Sequence, residues 1–347
     1  PPKAMLTLLL EDSGASVQRL EPEQLKALES SYSRDVSVSL GGKSTALAVV
    51  RVGGQGEPMA KSPTSHPVSL LKSNLQKAVR RHQTEAAVAS AAVLLSADPL
   101  QLLRRLPIIW AEDVGVPPDL LRLVWLMIAT TYEYTLTWDD ARYILSNVHS
   151  AASSAVPFSW PPATEDQATE GRFADAPAPA QALWLRAAYG GMPGDTKLLL
   201  ACAAGVETGR YPVLLAGASS VSQSTTVAMC SLERIRQADQ LLVAVDQHCS
   251  GIAAHLAERT SLPISEVEAS IWTLRGSINP RRGSGLVTKP AWWTPSLERV
   301  IDEYCLRFWQ RRVQADSAAA PAAKTRKTGA SQPSLLRFFG SAKKASG

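Results

Sequence analysis

The sequence predicts a mainly α-helical protein, with a helical bundle-like body, a small N-terminal β-hairpin element and a disordered C-terminal tail. Three observations lead there. Beyond residue 67, apolar side chains recur at three- and four-residue spacing behind helix caps. Period-two alternation is confined to the first 60 residues. Residues 315–347 are mostly Ala, Lys, Pro, Ser and Gly, a composition that cannot bury enough apolar surface to fold.

At 347 residues, with 45% hydrophobic and 19% charged side chains, the chain is long and apolar enough for a substantial core. It begins at Pro1 rather than Met, so a preceding piece is expected. "MLTLLL" (5–10) is too short for a signal-peptide core and runs straight into Glu11 and Asp12. The best membrane candidate, "LVWLMIA" (123–129), is seven residues and reads as a buried helix, so no membrane partner is expected. Cys202, Cys230, Cys249 and Cys305 form no CxxC pair, which disfavours a disulfide scaffold or zinc finger and suits a reducing compartment. The net charge of +5 is unevenly placed. From Arg311 onward eight basic residues face one acid, a net of +7, leaving 28 basic and 30 acidic residues elsewhere, a net of −2. The basicity therefore belongs to the tail and says nothing for a nucleic-acid groove in the body.

Taken in order, residues 1–60 form the β-containing element. "VSVSL" (36–40) and "TALAVVRV" (45–52) read as strands joined by a glycine turn. Residues 53–67 are rich in Gly, Pro and Ser, with the linker proper at 61–67. A first helical subdomain covers 68–156. It starts with a helix over 68–81, whose Lys72, Gln76 and Arg80 lie opposite Leu71, Leu75 and Val79. A second helix spans 84–95, and Asp98 before Pro99 caps a third. Pro107 is expected to break or kink that helix. Asp119 opens the next, and Thr137 caps "WDDARYILSNVHSAAS". Residues 157–180 read as a loop, followed by a second helical subdomain over 181–314. There "GGMPGD" turns between two helices, 231–259 reads as one long helix, and Ser265 with Glu268 forms a capping-box pattern. Thr294-Pro295 opens the last helix before the tail.

The tail carries the most specific signal. "QPSLLRFF" spaces Gln332, Leu335, Phe338 and Phe339 as Gln-x-x-aliphatic-x-x-aromatic-aromatic, and uses two of the chain's five Phe side by side. It resembles the PIP box, the peptide by which replication and repair proteins dock on the sliding clamp PCNA. A single 3₁₀ turn has three residues per turn, so Leu335 and Phe338 share one side with Phe339 adjacent, making a three-pronged apolar plug. The resemblance implies that this plug enters a hydrophobic pocket on the clamp while Gln332 hydrogen-bonds in a separate one. Upstream, Arg311 and Arg312, a spacer, then Lys324, Arg326 and Lys327 look like a bipartite nuclear import signal, implying an import receptor and a nuclear location.

Other constellations are weaker. "SLGGKST" lacks the first glycine of a phosphate-binding loop, since Ser37 stands there, and a hairpin turn explains Gly41 and Gly42. Residues 69–115 are similar to the helical part of the replication-associated recombination ATPases, through a basic helix, a "DP" start, paired arginines and "EDVG". That family's ATPase core has no counterpart here, so no functional residue is carried over. The acidic pairs Glu112–Asp113 and Asp139–Asp140 are conceivable metal ligands, but helix-start acids facing the dipole account for the second pair more simply. His248, Cys249 and His255 lack persuasive ligand spacing. Trp272, Trp292, Trp293 and Trp309 fit packed helix ends better than a stacking platform. The loop "RGSINPRRGSG" offers Arg275, Arg281 and Arg282 as candidate phosphate contacts. No catalytic residue, metal or cofactor is assigned. The expected role is a clamp-binding accessory or adaptor in nuclear DNA replication or repair. The alternative is a DNA- or nucleotide-processing enzyme delivered by the same tail.

Overall fold

The computed structural model of the chain describes residues 4–54, 56–64, 68–80, 82–154, 170–211, 213–214, 250–271 and 294. They are mainly helical, with a four-stranded mixed sheet at the N-terminus. Strands β1 (Met5–Glu11) and β2 (Gly14–Leu20) form one antiparallel hairpin, and β3 (Ser30–Leu40) and β4 (Lys43–Val52) form another. A short helix, α1 (Pro22–Ala27), joins them. The sheet order is β2-β1-β4-β3, with β1 and β4 parallel at the centre and Leu8 opposite Val49.

The two faces of the sheet have different partners. Leu6, Leu8, Leu10, Val36, Val38, Leu40, Leu47 and Val49 point into the main core. Leu9, Ala48 and Val50 point the other way, where Leu25 and Leu28 cover them at α1 and just beyond it. Strand β1 is thus buried on both faces, which is why it reads as a continuous apolar run rather than an alternating one. The turn between β3 and β4 is Gly41-Gly42 with φ of 58° and 77°, the two positive values a type I′ turn needs. The "GGKS" segment is a hairpin tip.

Eight helices come next: α2 (Val68–Arg80), α3 (Thr84–Ala97), α4 (Pro99–Ile109), α5 (Leu120–Thr131), α6 (Trp138–Ser153), α7 (Glu170–Asp175), α8 (Ala178–Ala188) and α9 (Pro193–Glu207). Two more, α10 (Ser250–Thr260) and α11 (Ile264–Ile271), pack on each other. Asp98 caps α4 by accepting from the Gln101 N–H, and Thr137 with Asp140 forms a capping box at α6. Asp119 stands before α5, but its carboxylate takes the Tyr143 hydroxyl at 2.9 Å instead of a helix N–H.

Four expectations need correcting. Pro107 does not break its helix. The helix α4 runs through it and widens into a π-helical turn at Trp110–Val114, closed by the Gly115 N–H donating to the Trp110 carbonyl at 2.8 Å. The stretch expected to be a loop contains α7 and the start of α8. Ser265 lies inside α11 rather than at its cap, because the first turn closes on the Pro263 carbonyl. Finally, residues 56–62 are strapped to the body: Met59 N–H donates to Leu136 O at 2.8 Å and Ser62 N–H to Ser96 O at 3.0 Å.

Helix α5 is the hub. Nine of its twelve residues are buried, and it touches the sheet on one side and α4 and α8 on others. Its Trp125 Nε1 donates to the carbonyls of Leu8 (3.2 Å) and Val50 (3.1 Å), and its ring meets Tyr32 and Tyr134 edge-on. Arg51 of β4 reaches Asp140 Oδ2 at 3.1 Å and also bonds the Tyr134 hydroxyl, an ion pair buried between sheet and helices. One continuous core therefore runs from Leu6 to Leu214.

Candidate functional site

The sequence-predicted site residues lie outside the described residues: Gln332, Leu335, Phe338 and Phe339, the import cluster Arg311, Arg312, Lys324, Arg326 and Lys327, and Arg275, Arg281 and Arg282. So do His248, Cys249 and the four tryptophans considered above. What the structure does place are the acidic pairs and the basic residues of α2 and α4.

The two acidic pairs have separate tasks. Asp139 is exposed and bonds Arg142 within its own helix. Its neighbour Asp140 is buried and accepts from the Thr137 N–H (3.0 Å), the Thr137 hydroxyl (2.9 Å), the Tyr134 hydroxyl (2.9 Å) and Arg51. Glu112 and Asp113 sit in the π-helical turn, whose extra residue lets both neighbours reach α2. Arg80 bridges them, with Nε 2.6 Å from Asp113 Oδ1 and a terminal nitrogen 2.8 Å from Glu112 Oε1. Gln76 Nε2 donates to both at 2.7 Å. Among the described residues, no three His, Cys, Asp or Glu side chains gather as a metal site would require.

The polar side of α2 is thus an interior one: Gln76 and Arg80 face the π-helical turn. Arg105 of α4 donates to the Gln76 side-chain carbonyl and pairs with Asp195, in the first turn of α9, at 3.4 Å. A polar relay thus runs Asp195–Arg105–Gln76–Glu112/Asp113–Arg80 through the interior. Burial pushes the Asp113 carboxyl above its ordinary value, and Arg80 pulls it back down.

At the open end of this relay, cations outnumber acids. Lys72 donates to Gln101 Oε1 at 2.9 Å, and Arg104 donates to the Tyr189 carbonyl at 3.0 Å. Arg186 lies behind them, giving Nε to the Arg104 carbonyl (2.8 Å) and a terminal nitrogen to the Gly190 carbonyl (2.6 Å). Burial, then the neighbouring Arg105, lowers the Lys72 ammonium. Burial, then Arg104, lowers Arg186 to about 10. Arg105 Nε is buried without a hydrogen-bond partner. The exposed segment 191–194 borders these cations, with Gly191 beside the Arg186 guanidinium and Met192 61% exposed before α9.

The chain matches no family model, no curated protein and no solved structure. No local pattern in the sequence marks the whole cationic rim, because Lys72, Arg104–Arg105 and Arg186 are scattered over three helices. The paired arginines of α4 were its one visible signal.

Proposed function

We propose that this chain is a PCNA-binding accessory protein of nuclear DNA replication or repair, a bundle-like helical body carrying a clamp-docking tail. The observation that supports this is the spacing of Gln332, Leu335, Phe338 and Phe339 in a basic segment with nothing else to bury. The use of phenylalanine agrees with it. Of the chain's five Phe, the one among the described residues, Phe173, is fully buried in the core, whereas the tail holds an adjacent pair.

The energetics suit a tethered partner. Burying Leu335, Phe338 and Phe339 would contribute about 1.5–3 kcal/mol each. Ordering the segment costs about 2–5 kcal/mol, and Pro333 lowers that cost by restricting the chain beforehand. With the Gln332 hydrogen bond and flanking Lys and Arg, affinity falls in the micromolar range, sufficient where a clamp concentrates its clients on DNA. The basic pairs around Arg311 and Lys324 support delivery to the nucleus.

Retention of the full chain on immobilised PCNA tests the reading. Wild type should be retained and then displaced by excess peptide spanning 326–344, whereas Phe338→Ala/Phe339→Ala should pass through. Equal retention of the two proteins would refute the assignment.

A further inference from the structure

We propose that the cationic rim of Lys72, Arg104 and Arg105, backed by Arg186, is a contact surface for the phosphate backbone of duplex DNA. Four positive side chains from α2, α4 and α8 meet here against two nearby carboxylates, Asp195 on Arg105 and Asp98 beside Lys72. Proteins seldom leave such crowding uncompensated, because like charges in a half-buried setting repel one another. A phosphate brought to the rim supplies the missing negative charge.

The local shape permits a backbone to approach. Segment 191–194 is exposed, and open space surrounds Gly194 where a side chain would stand. Met192 precedes α9 without a side-chain cap, so the first-turn N–H groups of Gly194 and Asp195 have no intrahelical acceptor. They add donors beside the cations, while the side chains themselves carry the charge. Arg186 is committed to two carbonyls and holds the α8–α9 turn against α4, so it positions the rim rather than touching the ligand.

The choice of DNA as the source of phosphate rests on the clamp-docking reading, since a clamp-bound protein is held beside duplex. Few contacts then suffice: backbone binding scales with the number of phosphates neutralised and is sequence-independent. The rim also supplies what the body's overall charge does not, because its positive charge is local rather than net.

The test is fluorescence anisotropy of a labelled duplex titrated with the full chain over a range of salt concentrations. Lys72→Gln/Arg104→Gln keeps amides to bond Gln101 and the Tyr189 carbonyl but removes two charges. It should weaken binding about tenfold at low salt and shrink the slope of log affinity against log salt by about 2. An unchanged slope and affinity would overturn the proposal. If this variant melts well below wild type, Met192→Glu decides, since it places a negative charge on the exposed rim without entering the core. Weaker binding supports the rim, and wild-type binding overturns it. The assay contains no clamp, so its outcome is independent of clamp docking: a slope difference of about 2 between wild type and variant supports the rim even if the chain fails to bind PCNA, and equal slopes overturn the rim even if it binds.

Discussion

Replacing Arg80 with Ala removes the cation that faces the most deeply buried acid of the interior relay. The guanidinium lies 2.6 Å from Asp113 and 2.8 Å from Glu112, and Asp113 is inaccessible to solvent. Truncating one partner of a buried pair costs about 3–5 kcal/mol. Asp113 would keep Gln76 at 2.7 Å and can take up a proton, so a loss of about 2–4 kcal/mol is expected at neutral pH. The sign of the pH dependence follows from burial. A carboxyl whose folded value exceeds its unfolded one adds stability below the unfolded value and loses it as pH rises through the folded one. Burial already raises Asp113 against the pull of Arg80. Without Arg80 the folded value climbs further and the loss extends to higher pH. The gap between wild type and variant should therefore widen from about pH 4 to about pH 7. Urea unfolding followed by circular dichroism across that range measures it. A variant within about 1 kcal/mol of wild type, with a gap that ignores pH, would refute the reasoning.

Three further outcomes are expected. Trp125→Phe removes the donor to Leu8 and Val50 that ties α5 to both central strands, and should lower unfolding free energy by about 2–3 kcal/mol; wild-type stability in urea would deny the tie. Gly42→Val forces a β-branched residue to φ 77° and should cost about 1–3 kcal/mol, whereas Gly41→Asn should be nearly neutral in the same thermal melts. Cys202 is buried, with its thiol pushed up to about 12, so mass-mapped alkylation should spare it in the native chain and modify it after urea; rapid native labelling would contradict that placement.

The parts of the fold that sequence reveals are those where one residue decides local geometry. Asp98-Pro99, Thr137 and Gly41-Gly42 set helix starts and a turn through their own backbone and side-chain chemistry, and each stands where its pattern implied. Strands β1 and β2 were invisible for opposite reasons. The first is apolar on both faces, and the second is a half-exposed edge with mixed residues, so neither alternates. Pro107 misleads because the loss of one N–H is absorbed by a π-helical turn, a tertiary choice that brings Glu112 and Asp113 to Arg80. The polar side of α2 is legible as a stripe of Gln and Arg, but nothing local shows that acids from another helix meet it. The rim needs three helices to be assembled, and no spacing within one helix encodes that. The proposed clamp-docking motif is the reverse case, written wholly in local spacing.

The central claim is met most directly by isothermal titration of the full chain into PCNA. The account predicts a dissociation constant in the micromolar range for wild type, weaker binding for Gln332→Ala, and no measurable heat for Phe338→Ala/Phe339→Ala. Micromolar binding that survives loss of both phenyl rings, or no binding by wild type at all, would contradict it.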